Sequence, residues 1–204
     1  MPVKFIFFDI HESIIKAHQK ALENIIPNSE FISGDIRKIT QIDVYISPAN
    51  SYGWMSGGID AIYSKMFPGI QELVKTRIAE VSPLKTTKLP VGSALITRPG
   101  QMPNNKLLIC APTMGRPGCN IRNNMENVYY AAIAIFKICE QLPSGTVVGI
   151  PGLGTGVGGL TGDECANLIA NAWTDIKNDQ VIYPKGSKID YTKEHLLVTP
   201  CFLH

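Results

Sequence analysis

Several features that mark whole classes of protein are missing from this 204-residue sequence. Its five cysteines (Cys110, Cys119, Cys139, Cys165 and Cys201) are widely spaced, odd in number and never arranged as CxxC. Zinc-ribbon and thioredoxin signatures are therefore absent. Reduced, mostly buried thiols in a cytosol-like compartment are expected, with no metal and no redox cofactor. The formal net charge is only +2, which excludes the dense basic surface of a general nucleic-acid binder. Long apolar runs are also missing. The N-terminal one breaks at Asp9, short of a signal peptide, and none reaches the roughly 18–20 residues of a membrane span. A cytoplasmic protein without membrane contact is the expectation. Internal repeats, low-complexity tracts and Ser/Gly linkers do not occur.

What the sequence does have is an ordinary globular composition, 45% hydrophobic and 18% charged, and a regular alternation of patterns. Short apolar runs at 3–10, 30–33, 44–47, 93–97, 107–111, 147–150 and 196–199 read as strands. Helical spacing of apolar residues appears at 11–26, 59–67, 70–79, 123–142 and 163–175. The alternation predicts an α/β fold with a mixed, mostly parallel central sheet covered on both faces. One domain is expected over 1–177, with 178–204 as a C-terminal extension packed on it.

Two predicted strands run into glycine-rich loops, and an open α/β sheet binds ligands beyond the carboxyl ends of its strands. The first loop extends from Pro48 through Asn50, Tyr52, Trp54, Gly57, Gly58 and Ile59 to Asp60. The second reads Gly152-Leu153-Gly154-Thr155-Gly156-Val157-Gly158-Gly159. Glycine leaves no Cβ between backbone and ligand, so successive amides can turn inward as an anion nest at a helix N-terminus. A single such loop is more often a tight turn. Two in one domain favour a diphosphate gripped with almost no basic side chains, in keeping with the small net charge. The P-loop pattern is absent, and no GxGxxG follows the first strand.

In order and type, these elements resemble the macro domain family over roughly residues 3–175. Gly34-Asp35-Ile36 resembles the family's GDI element, Ser47-Pro48-Ala49-Asn50 its NAAN strand end, Gly57-Gly58-Ile59-Asp60 its glycine run before VD, and residues 152–157 its second diphosphate loop. The resemblance implies a three-layer α/β/α macro domain that binds ADP-ribose or an ADP-ribosylated protein. It implies that Asp35 accepts from the adenine amino group, that the Ile36 amide supports the ring or adjacent phosphate, and that Asn50 contacts the distal ribose. It further implies that Gly57, Gly58, Ile59, Gly152, Leu153, Gly154, Thr155, Gly156 and Val157 hold the diphosphate. Some family members hydrolyse ADP-ribosyl-protein, O-acyl-ADP-ribose or ADP-ribose 1″-phosphate, with Asp60 and Asn50 at the catalytic positions; others only read the ligand. A macro-like structural or assembly role without ligand is the third alternative.

Each candidate also has a plain structural reading. Asp35 and Asp60 could be cap residues and Asn50 a turn residue. Ser47 stands where the family pattern has asparagine, and Tyr52 and Trp54 are bulky insertions before the glycine pair. Either aromatic could line the ligand, with Trp54 the better candidate for an anchor against the core. Lys65 reads as solvated, although one branch of the family uses a lysine nucleophile near this segment. Residues 111–117 carry no assignable chemistry, and His11, His18, His195 and His204 have no catalytic partner by spacing.

Overall fold

The computed structural model describes residues 2–82 and 87–199; Cys201 and His204 lie outside that range. Strands β1 (Lys4–Asp9), β2 (Ser29–Ser33), β3 (Val44–Ser47), β4 (Ala94–Ile96), β5 (Leu107–Cys110), β6 (Val147–Pro151), β7 (Lys188–Thr192) and β8 (His195–Thr199) form one sheet. Their spatial order is β2-β1-β6-β3-β5-β4-β8-β7. The half from β2 to β5 is entirely parallel, and the half from β4 to β7 pairs antiparallel. The helices are α1 (Glu12–Leu22), α2 (Gly58–Met66), α3 (Ile70–Val81), α4 (Glu126–Cys139) and α5 (Gly162–Lys177).

The strands look continuously apolar because both faces of the sheet are covered. Phe5 and Phe7 of β1 and Val44 and Ile46 of β3 pack with α1, α4 and α5. Their neighbours Ile6, Phe8 and Tyr45 point the other way, against Tyr63 of α2 and Ile70, Val74 and Ile78 of α3. The period-2 alternation of strands thus becomes two cores separated by one sheet, a three-layer α/β/α domain.

Two expectations need correcting. Helix α1 stops at Leu22, not at residue 26: Pro27 forbids continuation, and the chain turns through Asn28 (φ 61°) so that Ile26 still reaches the core. The span 123–142 opens with a 3₁₀ turn at Arg122–Asn124, and the α-helix begins only at Glu126. Strand β7 was not expected. It is exposed throughout, and an edge strand without a buried face leaves little hydrophobic signal.

The β7–β8 hairpin is held to the sheet by polar groups as well as by pairing. Ser93 Oγ donates to the Val198 carbonyl (3.1 Å) and accepts from the Val198 amide (2.9 Å). Arg77 of α3 is fully buried, and its guanidinium pairs with Glu80 and with Glu194 in the hairpin turn (3.2 Å), while Arg98 bridges the same two carboxylates. Removing Arg77 empties the buried space of its side chain and leaves Arg98 alone to hold both carboxylates. Arg77→Ala should lower the unfolding free energy by about 2–4 kcal/mol, seen as an earlier urea midpoint with faster amide exchange in β8. A midpoint within experimental error of wild type would show that the network is not a structural staple.

Candidate functional site

The parallel half of the sheet delivers five strand ends to one edge. β1 ends at Asp9, β2 leads to Gly34-Asp35, β3 to the first glycine-rich loop, β5 to residues 111–118 and β6 to the second loop. β6 lies between β1 and β3, the point at which successive crossovers diverge and where α/β sheets open a crevice. A cleft of ≈ 650 Å³ occupies this place, within the usual range of small-molecule sites.

Asp35, Ile36, Asn50, Gly57, Gly58, Ile59, Asp60, Gly152, Gly154, Thr155, Gly156 and Val157 all line this cleft, although they come from three widely separated segments. Leu153 does not. Its side chain is buried in the α4–α5 core and fixes the loop from behind. Trp54 also lines the cleft, and at 47% exposure it is no core anchor; the Lys75 ammonium lies 4.0 Å from its ring centroid. Tyr52 stands outside the lining beneath Lys88, and Lys65 is exposed and away from the cleft.

Among the described residues the cleft is lined by one arginine, one histidine and no lysine, so backbone amides are its main donors to an anion. Helix α2 begins with Gly57 as its N-cap, and no side chain caps it. The amides of Gly58, Ile59 and Asp60 consequently have no acceptor among the described residues, and the helix dipole points its positive end into the cleft. Opposite, the second loop folds back on itself: Leu160 donates to the Gly154 carbonyl and Gly159 to that of Gly156. A Cβ on Gly158 would lie 2.4 Å from the Gly154 carbonyl oxygen, so only glycine permits the fold-back. The amides of residues 154–158 find no acceptor among the described residues. Helix α5, in contrast, is closed by a Thr161–Glu164 capping box, so this loop acts through its own amides and not through the helix that follows.

Three carboxyl groups face this amide-lined space, and each is handled differently. The Asp35 carboxylate is gripped by the Arg37 side chain (Nε 2.9 Å to Oδ2) and accepts from the Arg37 amide (2.9 Å), which holds its pKa down at about 2. Asp35 is thus the cap of the 3₁₀ turn at Ile36–Lys38 while remaining at the cleft wall. Asp60, 7% exposed, has no cationic partner among the described residues. Burial pushes its pKa up to about 7, against the pull of the Ser47 hydroxyl, which donates to Oδ1 at 2.7 Å. Asp9, which sequence reasoning did not single out, accepts from both the amide (2.9 Å) and the ring Nδ1 (2.8 Å) of His11.

Asn50 is largely committed to its own loop. Its Oδ1 accepts from the Tyr52 and Trp54 amides (3.1 and 3.4 Å) and its Nδ2 donates to the Trp54 carbonyl (2.8 Å), leaving one N–H for a ligand. Residues 111–118, silent in the sequence, form a third wall. Thr113 donates from its amide to Ala49, Met114 bridges Asn50, and Thr113, Met114, Pro117 and Gly118 face the cleft. Their position after a parallel strand was the available signal. His18 and Cys165 lie behind the second loop, 3.5 Å apart and fully buried, with the histidine pushed down to about 4 and the thiol up to about 12 by desolvation.

The macro domain family model matches residues 46–169, which include both glycine-rich loops and begin after Asp35. An uncharacterized protein of Aquifex aeolicus is 33% identical over 138 residues, covering 68% of this chain and 76% of its own length. One of Aeropyrum pernix is 31% identical over 139 residues, covering 68% and 67%. Among solved structures, the macrodomain of Mycobacterium tuberculosis DarG superposes with a TM-score of 0.57 at 19% identity, over 71% of this chain and 89% of that one. The macrodomain of Thermus aquaticus DarG gives 0.54 at 17% identity, over 84% and 90%. At these identities the solved structures establish the fold alone.

Because the folded pKa of Asp60 lies above its unfolded value near 4, the native state holds the extra proton between about pH 4 and 7. Stability from this group is therefore lost as pH rises through that window. Asp60→Asn should stabilise the fold at pH 8 by about 1–4 kcal/mol and have little effect at pH 4. Equal melting shifts at both pH values would contradict a desolvated carboxyl. The sheet order, the two-loop cleft and the extended match of the family model agree, and this chain belongs to the macro domain family.

Proposed function

We propose that the cleft binds ADP-ribose or an ADP-ribosyl group, with the diphosphate between the α2 N-terminus and the amides of residues 154–158. The observation that carries this reading is the pairing of two unsatisfied amide clusters across a space nearly free of basic side chains. Neutral donors of this kind suit a diphosphate whose charge is spread over several oxygens. In this reading the cleft-lining Asp35 and the Ile36 amide would take the adenine, and Asn50 with its remaining N–H would take the distal ribose. An ADP-ribosylated protein would extend out past Trp54.

Hydrolysis of the ADP-ribosyl bond is the finer reading, and it rests on Asp60. A carboxyl with a pKa near 7 is half ionised at neutral pH, the optimum for a general base that takes a proton from water. Water activated in this way would attack the anomeric carbon and break its bond to the protein side chain, which leaves protonated, or attack the carbonyl of an O-acyl ester and break the acyl C–O bond, releasing the carboxylic acid and ADP-ribose. The Ser47 hydroxyl stabilises the ionised form and fixes which oxygen stays free.

Calorimetric titration with ADP-ribose, AMP and NAD tests the binding reading. ADP-ribose should bind at least about tenfold more tightly than AMP, and equal affinities would remove the diphosphate argument. Incubation with an ADP-ribosylated protein tests turnover. Asp60→Ala should abolish product release while retaining ADP-ribose binding, and Ser47→Ala should move the rising limb of the pH–rate profile to higher pH. Tight binding by the wild type without any product would leave a reader module in place of a hydrolase.

A further inference from the structure

Asp9 stands between two parts of the cleft that the binding reading assigns to different pieces of one ligand. Its backbone carbonyl accepts from the amide of Gly34, which precedes Asp35 at the adenine end (2.9 Å). Its side chain borders the first glycine of the second loop: a Cβ built on Gly152 would lie 3.1 Å from Asp9 Oδ2. Adenine and diphosphate are joined by a ribose, so the group spanning that interval is the adenosine sugar. The carboxyl group is 15% exposed and lines the cleft. His11 occupies Oδ1 twice, through its amide and its ring, whereas Oδ2 accepts no hydrogen bond among the described residues.

We infer that Asp9 is the specificity residue for the adenosine ribose, accepting hydrogen bonds from its 2′- and 3′-hydroxyls and excluding a phosphate at the 2′ position. The inference rests on the ADP-ribose reading of the cleft. A carboxylate acceptor at the end of a parallel strand suits a vicinal diol, the solution other α/β nucleotide sites reach with an acidic residue at a strand end. It is hostile to an added phosphate, because two like charges would meet in a partly dehydrated cleft. Arg37, the arginine among the described lining residues, has its Nε–Nη2 edge on both oxygens of Asp35, so its charge is already paired with a carboxylate and is less available to a 2′-phosphate. His11 fixes the orientation: with Oδ1 bound to its ring and amide, Oδ2 is left for the sugar.

Titration of the wild-type protein with ADP-ribose, its 2′-deoxy analogue and its 2′-phosphate supplies the test, and it needs no variant to fold. ADP-ribose should bind about tenfold more tightly than the 2′-deoxy analogue and about a hundredfold more tightly than the 2′-phosphate. Asp9→Asn should weaken ADP-ribose by about tenfold while shrinking the discrimination against the 2′-phosphate to a few-fold. Binding of ADP-ribose and its 2′-phosphate with equal affinity would overturn the assignment, and tighter binding of the 2′-phosphate would make Arg37 the reader of this position. Failure of ADP-ribose to bind at all would instead remove the parent reading of the cleft, and this inference with it.

Discussion

A backbone amide removed from water must find an acceptor or carry the cost of desolvation, about 1–3 kcal/mol for each donor left unpaired. This domain gathers two groups of amides that have no protein acceptor among the described residues, at the start of α2 and along residues 154–158, at the lining of one cleft where a bound ligand would take them out of water. Nearly every other feature of the site serves that arrangement. The parallel strands bring the loops to one edge, Gly57 withholds a capping side chain, and the close approach of Gly158 to Gly154 permits the fold-back in which Leu160 and Gly159 take the loop's carbonyls while the amides of 154–158 keep no protein acceptor among the described residues. Capping α5 with Thr161 and Glu164 anchors the far end of that loop without using the amides in the cleft.

Carboxyl groups in a site suited to anions present a conflict that the structure settles locally. Asp35 is neutralised by Arg37, and its charge becomes part of a fixed pair. Asp60 meets no cation among the described residues and burial lifts its pKa to about 7, so a diphosphate bound as proposed would meet a carboxyl that can carry a proton instead of a full charge. Asp9 gives one oxygen to His11 and keeps the other. All three line the same cleft, and they reach it from different segments of the chain.

Much of this was legible in the sequence because the fold's main signals are periodic and local. The strands from β1 to β6 are apolar runs bounded by glycine or proline, and the two loops are conspicuous for glycine alone. Side-chain commitments were not legible. Nothing in the string Ser47-Pro48-Ala49-Asn50 says that Ser47 donates to Asp60 or that Asn50 spans its own loop, since both depend on backbone direction after β3. Asp9 escaped notice because an aspartate ending an apolar run reads as a turn residue. Its place beside Gly152 depends on β1 pairing with β6, a contact across more than a hundred residues. Strand β7 was hidden for a different reason: none of its residues is buried, and hydrophobic patterning reports burial and not hydrogen bonding.

The central claim concerns particular amides, and amide-resolved NMR during titration with ADP-ribose addresses it most directly. The account predicts that the largest proton and nitrogen shifts fall on Gly58, Ile59 and residues 154–157, moving together at one saturating concentration. Binding that left these resonances in place, or that moved only one of the two loops, would contradict a diphosphate held between them.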